Sequence, residues 1–120
     1  MDIADELSKI INYIEAMNLD DSETDMYNRN IDFTLSLFKC SLLNLKEEMS
    51  QLQKARSLQN ANVPFMKPYV NMVQQEILES VNTIDYRANL LPSAINAESY
   101  KDQIAHVQTE WAKLKSLLGK

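Results

Sequence analysis

The sequence predicts an all-α chain. Its long, heptad-patterned helices are expected to form an antiparallel helical hairpin or bundle with coiled-coil character. Three observations predict this. Apolar residues recur at alternating steps of three and four along most of the 120 residues. One glycine in the whole chain leaves little material for tight turns. Neither glycine nor proline interrupts Asp25 to Asn60. Helices are expected over about 2–18, 24–59, 65–91 and 97–118, as one domain spanning 1–120.

The first helix carries Ile3, Leu7, Ile10, Ile14 and Met17 at spacing 4-3-4-3, which marks one helical face. Ile11 and Tyr13 widen that face. Asp2, Asp5 and Glu6 fall in its first turn, where the helix dipole favours negative charge. Ser22 followed by Asp25 approximates a capping box, so the second helix is expected to start there.

The second helix has the longest row. Ile31, Leu35, Phe38, Leu42, Leu45, Met49 and Leu52 run 4-3-4-3-4-3 without a break. Its first half holds another apolar row, Met26, Phe33, Leu37 and Cys40. Two rows imply burial on two sides, with the neighbours drawn from the hairpin, the first or fourth helix, or a partner subunit. Its second half keeps one narrow stripe, and Glu47, Glu48, Gln51, Gln53 and Lys54 cover the rest.

A turn at Asn60–Pro64 leads into the third helix, with Pro68 in its first turn, where a missing N–H is harmless. Met66, Val70, Val73, Ile77, Val81, Ile84, Ala88 and Leu91 form its stripe. The repeated four at Ile77–Val81 is a stutter that unwinds a supercoil and favours a bundle over a long two-stranded coil. Pro92 breaks or kinks the chain after Leu91. Ser93 or Asn96 is expected to cap the fourth helix. Its stripe is Ala97, Tyr100, Ile104, Val107, Trp111, Leu114 and Leu118, with Gly119 as a C-terminal cap.

Composition narrows the chemistry. One Cys excludes an intramolecular disulfide framework and a Cys-based zinc site, and one His excludes most His-ligated metal sites. Cys40, within an apolar stretch, is expected to be a small buried hydrophobe. His106, at the edge of the fourth stripe, reads as a surface or interface residue. Glu76 and Glu79 can share a helix face, but no further ligand stands nearby in sequence. No phosphate-binding, hydrolase or metalloprotease motif occurs. No catalytic residue, cofactor or metal is therefore expected, and the chain is read as no enzyme.

Charge is uneven. Residues 1–25 hold eight acids and one base, net −7, within a chain of net −5. This segment either docks a basic partner surface or simply holds acids at helix starts. The overall acidity and dispersed Lys and Arg disfavour direct nucleic-acid binding. No apolar run reaches membrane-spanning length, so no membrane insertion is expected. The acidic N-terminus and lone Cys place the chain in cytoplasm or nucleus. Phe33, Phe38, Tyr69, Tyr100 and Trp111 are expected in the core, while Tyr27, Phe65 and Tyr86 lie off the main rows. Phe65 and Met66 are expected to plug the end of the hairpin.

Slender helices with continuous apolar seams usually bury them on another chain. The candidate partner interface is therefore Ile31, Leu35, Phe38, Leu42, Leu45, Met49, Leu52, Ile104, Val107, Trp111 and Leu114. The expected role is a structural subunit of a hetero-oligomeric helical complex. The alternative is an autonomous four-helix-bundle adaptor or chaperone that binds one protein. In general shape the chain resembles the small coiled-coil subunits of organelle-tethering or kinetochore and spindle complexes. Met66-Lys67-Pro68-Tyr69-Val70, five residues, is similar to a phrase in some organelle-tethering subunits. It carries no site residue across.

Overall fold

A computed structural model describes residues 2–17 and 30–118. Four helices account for nearly all of them: α1 (Ile3–Glu15), α2 (Ile31–Asn60), α3 (Met66–Leu90) and α4 (Lys101–Leu118). The fold is all-α, and no strand occurs among the described residues. The molecule measures 52 × 29 × 21 Å, with a radius of gyration of 16.2 Å. A compact chain of this length would give about 13–14 Å. The excess comes from the α2–α3 pair, since a helix of 30 residues is about 45 Å long.

Local chemistry sets the ends of these helices. Asp2 caps α1, its carboxylate accepting from the Ala4 N–H at 3.0 Å. Asn30 caps α2 in the same way, accepting from the Asp32 N–H at 2.9 Å. The start expected near residue 24 is therefore corrected to Ile31. Asn30 is extended (φ −62°, ψ 148°), and the Ile31 N–H donates outside its helix, to the Ile95 carbonyl at 2.8 Å. The Ser22–Asp25 capping box, Met26 and Tyr27 lie outside the described residues, as does Gly119.

At the far end of α2, Asn62 turns left-handed (φ 62°). The Val63 N–H then reaches the Leu58 carbonyl at 3.1 Å, and the Asn62 N–H reaches Gln59 at 3.0 Å. This is a Schellman stop built on Asn, which tolerates that conformation better than most residues. Phe65 is left-handed as well (φ 67°) and opens α3 with no side-chain cap. The chain then doubles back. Arg87 of α3 donates to the Leu37 carbonyl (3.0 Å) and the Ser41 hydroxyl (2.7 Å), while Ser80 donates to Glu48 further along. Residues descending α3 thus meet residues ascending α2.

The third and fourth helices are separate. Pro92 ends α3 in a 3-10 turn, Leu91–Ser93, and a second 3-10 turn, Ala97–Tyr100, leads into α4. Asn96 precedes it with φ 66° and makes no side-chain cap, so neither Ser93 nor Asn96 caps as expected. The free N–H groups are instead taken up by the tight turns themselves.

The core lies at one end of the molecule. Leu7, Ile10, Ile11 and Ile14 of α1 meet Ile31, Leu35, Phe38, Leu42 and Leu45 of α2. Ile84, Ala88 and Leu91 from α3 and Ala97, Ile104, Val107, Trp111 and Leu114 toward the C-terminus complete it. Each fully buried Leu, Ile or Phe contributes about 1.5–3 kcal/mol. Beyond Met49, among the described residues, α2 and α3 continue as two helices alone. There Ala55, Val70 and Val73 are buried apart from the main cluster.

Candidate interaction surface

The residues expected to meet a partner need correction. Ile31, Leu35, Phe38, Leu42 and Leu45 are wholly buried inside this chain, and Ile104, Val107, Trp111 and Leu114 are at most 3 % exposed. Met49 and Leu52 are half-buried. The seam is closed by α1 and α4 of the same molecule. A charge at Leu42 or Leu45 would therefore break the fold before it tested any interface.

The clasp between α3 and α4 is polar as well as apolar. Trp111 Nε1 donates to Asp85 at 3.3 Å, Lys115 Nζ pairs with its other oxygen at 3.0 Å, and Gln108 donates to the Ala88 carbonyl at 2.9 Å. The hydrogen-bonded Lys115 ammonium, helped by the Trp111 N–H, holds the Asp85 carboxyl below its ordinary range, against a partial desolvation.

Other expectations of burial also fail, among them that of Tyr69 in the core, which is 38 % exposed. Cys40 is exposed, and of its row Phe33 is only half-buried and Leu37 is exposed. Beside Phe33 and Leu37 lie Tyr86, Arg87 and Leu90 of α3, which cover that row only in part. Phe65 does not plug the hairpin end: it is 87 % exposed, and Met66 is half-buried. A bulky residue in the left-handed region costs about 1–2 kcal/mol, and such strain concentrates at binding sites.

Phe33, Leu37 and Phe65 belong to one open face of the α2–α3 pair. On α3 a row missed in the sequence runs beside the buried one. At the tip it holds Phe65, Tyr69 and Met72, all exposed. In the middle, at the same three–four spacing, it holds Glu76, Glu79 and Thr83. At the base it holds Tyr86 and Leu90, 66 % and 41 % exposed. The α2 side matches it in part. Ser41, Asn44 and Glu48 line a shallow cleft with the middle acids, and Phe33 and Leu37 line a groove with Tyr86, Arg87 and Leu90. The Ser41–Arg87 hydrogen bond joins cleft and groove into one continuous surface. Glu48, expected on the outside, is 8 % exposed and accepts from Ser80. The 4-3-4 spacing of the α3 row was the signal that could have found this face.

The remaining candidates are quickly placed. His106 is exposed on α4, its ring 4.3 Å from that of Tyr13. Glu76 and Glu79 do share a face, but no group of three metal-ligating side chains forms among the described residues. Of the acidic segment, Asp2 caps α1 and Glu6 pairs with Lys9 at 3.0 Å, while Asp20, Asp21, Glu23 and Asp25 lie outside the described residues. No described helix is long and apolar enough to cross a membrane. The chain matches no protein-family model, no curated protein and no solved structure.

Proposed function

We propose that this chain is a non-enzymatic interaction subunit of a hetero-oligomeric helical assembly, of the organelle-tethering or kinetochore and spindle kind, in cytoplasm or nucleus. In this reading the four-helix end is the anchor and the α2–α3 pair is the arm that binds. The observation that carries it is the open face: a row at heptad spacing with Phe65, Tyr69, Met72, Tyr86 and Leu90 exposed along one arm. Rows of this spacing are what helices bury against helices, and the arm then joins its partner with coiled-coil character. Exposed apolar surface of this extent on a small chain marks an interaction site. The arm from Met49 to Gln75 also holds Lys54, Arg56 and Lys67 with no acid, so the polar fringe at its tip is basic.

The test is tagged purification from native cells with mass-spectrometric stoichiometry. A fixed set of helical partners at equal ratios, lost on Phe65→Asp with Tyr86→Asp, is the expected result. Recovery of the chain alone would sink this reading.

The buried seam favours a second reading, the autonomous adaptor bundle. It needs no partner to cover Leu35, Phe38 or Trp111, because the chain covers them itself. A monomer by light scattering, with a sharp melt and a single substoichiometric client, would select it.

A further inference from the structure

The open face of the arm has a charge order, and that order specifies what lies on it. Its two ends are apolar. Its middle is acidic: Glu76 is half-buried and Glu79 exposed, with Glu48 opposite them on α2. Ser80 satisfies Glu48. Neither Glu76 nor Glu79 pairs with a cation among the described residues. Three carboxylates with no cation partner among the described residues, Glu48, Glu76 and Glu79, therefore sit in the polar centre of a strip whose two ends are apolar.

We infer that the strip takes a single amphipathic helix of a different protein, with Lys or Arg at its centre and apolar residues toward both ends. This rests on the interaction reading above and adds the chemistry of the partner. The shape follows from the surface. Two helices side by side leave a lengthwise groove that a third helix fills. From Phe65 to Leu90 the row is about 38 Å long, the length of a partner helix of roughly 25 residues.

The charge follows from desolvation. Covering the strip removes water from Glu76 and Glu79, which is unfavourable unless opposite charge replaces it. A basic centre supplies that charge. A second copy of this chain cannot, since face-to-face pairing about a two-fold axis sets each acidic middle against its equal. An anionic lipid surface is repelled by the same carboxylates.

The experiment uses the full 120-residue chain and two synthetic helical peptides of about 25 residues. They are identical, with leucines at row positions near both ends, but one has Lys-Lys and the other Glu-Glu at the centre. Binding is followed by fluorescence anisotropy at low salt. The Lys-centred peptide should bind at least about tenfold tighter, the gap should narrow with salt, and E76K with E79K should invert the order. Thermal melts of the variant, whose changes lie on the surface, confirm that it folds. Equal affinities, no binding, or an order that E76K/E79K leaves unchanged would overturn the inference. So would a dimer in light scattering that Tyr86→Asp abolishes, or flotation with phosphatidylserine vesicles.

The native complex separates the two readings. If E76K/E79K releases the cellular partner, both stand. If Phe65→Asp with Tyr86→Asp releases it and E76K/E79K does not, the charge rule falls and the interaction reading survives. If neither releases it, both fall.

Discussion

The two ends of the α2–α3 pair carry the same heptad grammar and use it differently. At the base, Leu35, Phe38 and Leu42 face α1 and α4 and are wholly buried. At the tip, among the described residues, α2 and α3 pack on each other alone. Burial there narrows to Ala55, Val70 and Val73, while Leu58, Tyr69 and Met72 keep 38–50 % of their surface. The comparison separates a row that holds the chain together from one left over for other contacts. An apolar stripe has the same spacing whether its complement belongs to the same molecule or to another.

The widest test of that contrast sets one charge at each end. Leu42→Asp places an unpaired carboxylate in the four-helix core, and the expected loss is more than about 4 kcal/mol. Against a total of about 5–15 kcal/mol, that leaves the base unfolded or nearly so in urea titrations. Met72→Asp, at a half-exposed site on the arm, should cost no more than about 0.5 kcal/mol in the same titrations. Equal effects would erase the distinction between base and arm.

A smaller effect, of opposite sign, is expected at the tip. Phe65→Gly removes left-handed strain at a side chain that buries almost nothing. The folded arm should gain up to about 1 kcal/mol, seen as a higher urea midpoint. Partner binding should fall at the same time. A loss of stability would mean that the phenyl ring packs more than its exposure indicates.

A further small effect belongs to the clasp between α3 and α4. Because the Asp85 carboxyl is held below its ordinary value of 3.8, its stabilising contribution is present above that pH. It is lost as pH falls through the lowered value. Asp85→Asn keeps the acceptor for Trp111 and removes the charge facing Lys115. The variant should be less stable at pH 7 by under about 1 kcal/mol, since both groups are more than a third exposed. The deficit should shrink toward zero in melts taken below pH 3.8. A deficit that persists unchanged in acid would assign the effect to packing.

Much of the fold was legible because burial and period coincide. The main rows of α1, α2 and α4 are buried where their spacing placed them, and Pro92 breaks the chain where its geometry requires. Three features were hidden for physical reasons. Asn30, Asn62 and Asn96 each set a backbone turn, but the same side chain can cap, turn left-handed or do neither, depending on its neighbours. Glu48 reads as a surface acid, and only the Ser80 hydroxyl across the arm makes its burial tolerable. The candidate interface was misplaced because periodicity reports that a face is covered and does not report by which chain. The second rows on α2 and α3 are the better signal, since a helix with more apolar rows than internal neighbours has one to spare.

The contact between Ile31 and Ile95 has a consequence for the order of folding. The hydrogen bond joins residues roughly 64 apart in the chain, and closing so long a loop first would cost about 3.7 kcal/mol of entropy. If α2 and α3 zip together from their turn, the Arg87 side chain reaches Ser41 and Leu37 before Ile95 has to find Ile31. The loop still to be closed then shrinks to about 14 residues, and the penalty falls by about 1.3 kcal/mol. In that order the arm forms before the base. Changes that slow zipping at the tip should appear in refolding rates even where they leave equilibrium stability untouched.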